Sequence, residues 1–90
     1  MHVDDLTPVI TQEECAEVIQ AISKVFRFGL EQKHPWTGIS NKESLEEEIG
    51  QLMYMLLKIT NHYDLNRANI WNAYENKQKA LDEYEQYFPF

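Results

Sequence analysis

Apolar residues return at three- and four-residue steps in three stretches of the chain, and nowhere alternate as a half-buried strand requires. In the first stretch Ile10, Val18, Ile22, Val25 and Phe26 fall largely on one helical face. Thr7 suits an N-cap with Pro8 at the first helical position, and Gly29 suits a C-terminal stop, so the pattern predicts a helix over 8–28. A loop over 30–40 follows and carries Trp36. In the second stretch Leu45, Ile49, Leu52, Leu56 and Ile59 form the main stripe. Asn41 is the expected N-cap of a helix over 42–62, with Glu43, Glu46, Glu47 and Glu48 near its positive end. Residues 52–57 are nonpolar on every side, which predicts a central helix touching more than one neighbour. Asn66 opens a third helix over 67–87, with Ile70, Trp71, Tyr74, Leu81 and Tyr84 expected inward. The fold class is therefore all-α, a single domain over 1–90 built as a three-helix antiparallel chain.

Size changes this picture. A 90-residue chain buries a modest fraction of the surface its unfolded form exposes. Its apolar fraction of 43% is nonetheless too high for a disordered chain. Partner helices are one way to complete such a core, so a homodimer or homotetramer with a four-helix-bundle core is expected. The tail residues Tyr84, Tyr87, Phe88 and Phe90 are expected to pack on a partner subunit.

The net charge of −7 disfavours duplex nucleic acid as a partner, because such proteins place Lys and Arg against phosphates. It leaves room for a small phosphorylated ligand, since a metal ion reverses the local field. Cys15 is the single cysteine, so it forms no disulfide within one chain; a reducing cytoplasm is expected, with Cys15 as a small buried apolar residue. Residues 1–8 lack a basic segment followed by an apolar run, and the run 52–57 is too short to cross a bilayer, so neither secretion nor membrane association is expected. His2, His34 and His62 have no metal-site spacing.

The candidate chemistry lies in glutamates. Glu14 and Glu17, preceded by Glu13, are three apart and project from one face of the first helix. Lys24 lies two turns beyond Glu17, and Arg27 three residues further. On the second helix Glu48 and Gln51 are also three apart, following Glu47. Two helices that each present a pair of oxygen ligands can meet across a bundle and hold Mg²⁺, which prefers carboxylate oxygens and takes remaining ligands from water and phosphate. Without a cation or protons such carboxylates repel.

The run Glu13-Glu14-x-x-Glu17 followed by Glu48-x-x-Gln51 resembles the EExxE…ExxD signature of the MazG-like all-α nucleoside-triphosphate pyrophosphohydrolases. The segment 23–29 followed by a loop and Asn41 is similar to the short stand-alone MazG-like proteins of phage and bacteria. The resemblance covers about residues 8 to 82 and departs at Gln51, where the family pattern has Asp. It implies Mg²⁺-dependent hydrolysis of a nucleoside triphosphate to the monophosphate and pyrophosphate, with Mn²⁺ able to substitute. Glu14, Glu17 and Glu48 become metal ligands and catalytic residues, and Gln51 the fourth ligand. Lys24, Arg27 and Trp36 become substrate contacts, with Lys77 or Lys79 weaker ones. An amide oxygen can coordinate Mg²⁺ but brings neither charge nor basicity, so Gln51 implies reduced metal affinity and turnover.

Plainer readings stand beside these. Glutamates three apart often form a solvated face, and Thr11 with Glu14 fits a capping box if the first helix begins late. Lys24 and Arg27 pair equally well with nearby acids at little gain. Trp36 is read first as a plug holding the loop on the bundle, then as a base-stacking surface. Tyr54 and Met55 read as core or interface. Two other functions thus remain: a nucleotide-binding or regulatory protein without hydrolysis, and a helical protein-interaction module.

Overall fold

The structure, a computed structural model, describes residues 6–87 and is all-α. Helix α1 spans Thr7–Phe28, α2 Asn41–His62 and α3 Arg67–Tyr87. No strand occurs among the described residues; an isolated antiparallel bridge pairs Lys33 with Ser40 in the loop between α1 and α2. The expectations for Phe88 and Phe90, and for the side chain of Tyr87, lie outside the described residues.

Local chemistry sets the helix ends. Leu6, rather than Thr7, is the α1 N-cap; Thr7 has joined the helix and its carbonyl accepts from the Thr11 hydroxyl at 2.7 Å. Pro8 sits in the first turn, where its missing N–H costs nothing. Glu14 is therefore inside the helix and not part of a capping box. Gly29 stops α1 as expected, with φ of 88° and its N–H donating to the Val25 carbonyl at 2.8 Å.

The start of α2 is fixed one residue earlier than expected. Ser40, not Asn41, is the N-cap. Its Oγ accepts from the Glu43 N–H at 3.1 Å, and Glu43 Oε1 accepts from the Ser40 N–H at 3.2 Å, closing a capping box. Hydrogen bonds from Ser40 hold the Glu43 carboxyl below its ordinary pKa, with smaller help from Lys33 and Lys42. Asn41 instead donates its side-chain amide to the Gly29 carbonyl at 3.0 Å, tying the start of α2 to the end of α1. Asn66 caps α3 through a bond from the Asn69 N–H at 3.0 Å.

Helices α1 and α2 form an antiparallel hairpin. Asn41 meets Gly29 at one end, while Thr7 lies beside Asn61 and His62 at the other. The Tyr63–Asn66 connection turns the chain with Asp64 at φ of 51°, and Arg67 donates to the Asn61 side chain at 2.7 Å. From there α3 diverges, packing on neither α1 nor α2 along its length. The molecule is a single layer, 48 × 42 × 13 Å.

That layer overturns part of the expected core. Among the described residues the buried apolar side chains are Ala21 and Met55. Ile22, Phe26, Ile49 and Leu56 are exposed, as are Ile70, Trp71, Tyr74, Leu81 and Tyr84, all expected inward. The periodicity is present, but one chain supplies no element to cover these faces. Cys15 is exposed rather than buried, because it lies about a quarter of a turn round α1 from the mean direction of buried Thr11 and Ala21 and half-buried Glu14. The accessible surface is 7578 Å². A compact monomer of this mass exposes roughly 5,500 Å², leaving an excess on the order of 2,000 Å².

Candidate functional site

The antiparallel hairpin brings the two glutamate-bearing faces together. Glu14 on α1 and Glu48 on α2 are half-buried; Glu17 and Gln51 are exposed at the edge of the same seam. Gln51 lies between them. With its amide nitrogen turned toward the seam, it donates to Glu14 Oε2 at 3.1 Å and to Glu48 Oε2 at 3.3 Å. Turned over, the nitrogen donates to Glu47 Oε1 at 3.4 Å, leaving the carbonyl oxygen against the other two carboxylates. The first orientation is favoured without a cation, since oxygen facing oxygen gains nothing.

The electrostatics agree with this crowding. The Glu48 carboxyl is raised above its ordinary 4.5 first by desolvation, then by the charges of Glu17, Glu14 and Glu47. Folding therefore favours the protonated form of Glu48. Its contribution to stability is full below pH 4.5 and is lost as pH rises through the raised folded value. In metal-free buffer the parent should lose stability over that window relative to Glu48→Gln, which cannot ionise. Thermal melts of both proteins at stepped pH check this, and parallel pH profiles would contradict it.

A groove of about 560 Å³ opens beside the carboxylates. Glu14, Glu46, Glu47 and Gln51 line it over an apolar floor that includes Ile10 and Tyr54. Glu46 and Glu47, expected near the positive end of α2 as surface charges or as groups supporting the ligands, thus border the site, and Tyr54 reaches it. The available signal was spacing: Glu46 lies four residues before Gly50, and Glu47 lies four before Gln51. At Gly50 an added Cβ would meet nothing within 4 Å, so no contact within this chain demands glycine in mid-helix.

The remaining predicted residues are divided. Lys24 lines a separate pocket at the far end of the hairpin, with Lys33 and His34. Arg27 lays its guanidinium over the Phe28 ring at 4.9 Å. Trp36 does not plug the loop onto the helices. It is 88% exposed, because the loop turns it outward beside His34 at a ring separation of 5.5 Å. Lys77 and Lys79 stand on α3, which does not bring them to the carboxylates within one chain.

The residues suit a hard cation in donor type, with three carboxylates and an amide converging from two helices. As placed, no group of three or more His, Cys, Asp or Glu among the described residues is close enough to hold a metal ion. Coordination therefore requires side-chain rotation, with the Gln51 amide turning its oxygen inward. No family model, curated protein or solved structure matches the chain. Among the described residues no helix is long and apolar enough to cross a membrane.

Proposed function

We propose that this chain is a Mg²⁺-dependent nucleoside-triphosphate pyrophosphohydrolase of MazG type, slowed by Gln51, acting as a homo-oligomer with a four-helix-bundle core. The observation that carries the reading is the meeting of Glu14 and Glu48 across the α1–α2 seam, with the Gln51 amide within hydrogen-bond reach of both. Glu17 adds a third charge, felt at Glu48. Mutually repelling carboxylates on two rigid helices are the arrangement a divalent cation relieves.

In this reading Glu14, Glu17 and Glu48 hold Mg²⁺ and Gln51 offers its amide oxygen. When bound, the ion neutralises phosphate charge and polarises the attacking water. A carboxylate of the cluster takes the water's proton as the oxygen attacks phosphorus and pyrophosphate leaves. The groove over Tyr54 receives the nucleoside. Open space at Gly50 leaves room for a ligand or a second chain to approach the α2 backbone. The uncovered apolar faces of α1, α2 and α3 supply the contact between copies.

A nucleotide-binding protein without hydrolysis is the second reading, favoured by the uncharged amide of Gln51. A helical interaction module is the third, favoured by the exposed apolar faces. One assay separates them: pyrophosphate release from a panel of ordinary and modified nucleoside triphosphates with Mg²⁺ or Mn²⁺. Slow release is expected, falling about a hundredfold in Glu14→Gln/Glu17→Gln, where two charged ligands are lost. Metal-dependent nucleotide binding with no release would favour the second reading. Neither binding nor release would leave the third.

A further inference from the structure

A basic concavity lies at the end of the hairpin away from Met55. It is a pocket of about 300 Å³ between the last turns of α1, the 29–40 loop and the first turns of α2. Lys24 enters it from α1, Gln32, Lys33 and His34 from the loop, and Asn41 and Ser44 from α2. Nothing in the proposed hydrolysis assigns Lys33 or His34 a role. Their meeting with Lys24 depends on the loop, whose backbone is closed by a ladder of bonds. His34 N–H donates to the Ile39 carbonyl at 2.8 Å, Asn41 N–H to Gln32 at 2.9 Å and Lys42 N–H to Leu30 at 3.0 Å.

The imidazole of His34 is set by the same loop. Its Nδ1 accepts from the backbone N–H groups of Trp36 at 3.2 Å and Thr37 at 3.3 Å. A neutral imidazole accepting at Nδ1 carries its proton on Nε2, so His34 brings a hydrogen-bond donor to the pocket. The lysines add two ammonium groups. The N-terminal end of α2, 22 residues long, adds the positive pole of its dipole. Its first amides are already engaged: Asn41, Lys42 and Ser44 donate to backbone carbonyls and Glu43 to Ser40 Oγ. Recognition here falls to side chains. Glu43, the nearby acid that feels Lys33, is itself held in the capping box with Ser40.

We infer that this pocket binds a phosphoryl group of a small phosphorylated ligand, through Lys24, Lys33 and His34 Nε2. Two ammonium groups and a neutral donor in one concavity match a multiply charged oxyanion better than a single carboxylate. Lys24 lies two helical turns from Glu17, about 10 Å along α1. The pocket is separate from the carboxylate groove but lies on the same hairpin. If the pyrophosphohydrolase reading holds, it receives a phosphoryl group that the cation does not. The inference itself requires only the pocket.

The test uses the full chain in EDTA, so that no divalent cation contributes. Inorganic phosphate and pyrophosphate are titrated separately while backbone and imidazole NMR signals are followed. Pyrophosphate at millimolar concentration is expected to shift Lys33, His34 and Ser44. The affinity should fall about tenfold or more in Lys24→Ala/Lys33→Ala and be largely kept in Lys24→Arg/Lys33→Arg. Glu14→Gln/Glu17→Gln should bind at least as well as the parent, which separates this pocket from the carboxylate site. Shifts absent from the loop, or equal affinity in the alanine double variant with an unchanged circular dichroism spectrum, would overturn the proposal. If the alanine variant does not fold, weakened binding in His34→Phe takes its place, and unchanged binding there overturns it equally.

Discussion

Replacing Gln51 by Asp should make the protein less stable without Mg²⁺ and more responsive to it. Two effects of opposite sign act at this position. With its nitrogen toward the seam, the Gln51 amide donates to both Glu14 and Glu48, softening the repulsion that adds to desolvation in raising the Glu48 carboxyl. An aspartate removes both donors and adds a fourth negative charge, so melting in EDTA should fall by several degrees, as a loss of about 1–2 kcal/mol produces in a chain this size. With a divalent cation present the same charge becomes a ligand. Mg²⁺ affinity should rise about tenfold or more, and pyrophosphate release with it. Because Asp is one methylene shorter than Gln, Gln51→Glu keeps the reach and separates charge from length. Thermal melts across a Mg²⁺ series check the first part and the pyrophosphate assay the second. A Gln51→Asp protein with the parent's metal response would remove position 51 from the site.

The second large effect concerns assembly. The parent is expected to sediment as a homodimer or homotetramer at micromolar concentration, with a melting temperature that rises with protein concentration. The excess surface, on the order of 2,000 Å², exceeds the roughly 800 Å² each partner contributes to a standard interface. Leu56, Leu57, Ile70 and Trp71 line an apolar cleft between α2 and α3 that one chain leaves open. Burying a leucine of this size gives about 1.5–3 kcal/mol, and a charge in its place must be desolvated. Leu57→Glu should therefore shift sedimentation to the monomer and lower the melting temperature by about 10 °C or more. Concentration-independent melting of a monomeric parent would contradict the assembly.

How far the sequence carries can be judged element by element. The three helices follow from periodicity and breakers, and their ends fall within a residue of expectation. The shift from Asn41 to Ser40 at the α2 cap arises because Ser40 has Glu43 three residues on, the partner a capping box needs. The meeting of Glu14 with Glu48 was also legible, since three-residue spacing places each pair on one helical face and consecutive helices can bring such faces together. Coverage was not legible. The stripe Ile70, Trp71 and Tyr74 is as apolar as a core face, yet no described element of the chain covers it. Cys15 and Trp36 were misplaced for a related reason: hydrophobic character gives a preference for burial, not the element that supplies it. The pocket around Lys33 and His34 was invisible because loop bonds, not helical spacing, bring those residues to Lys24.

If the α1–α2 carboxylates hold a divalent cation, Mg²⁺ titration followed at the side-chain carboxyl carbons by NMR should give saturable shifts at Glu14, Glu17 and Glu48, accompanied by the Gln51 side-chain amide and abolished by Glu14→Gln/Glu17→Gln. Uniform small shifts across all glutamates, Glu83 and Glu85 on α3 included, would show only diffuse screening of a chain of charge −7 and would contradict a cation site there.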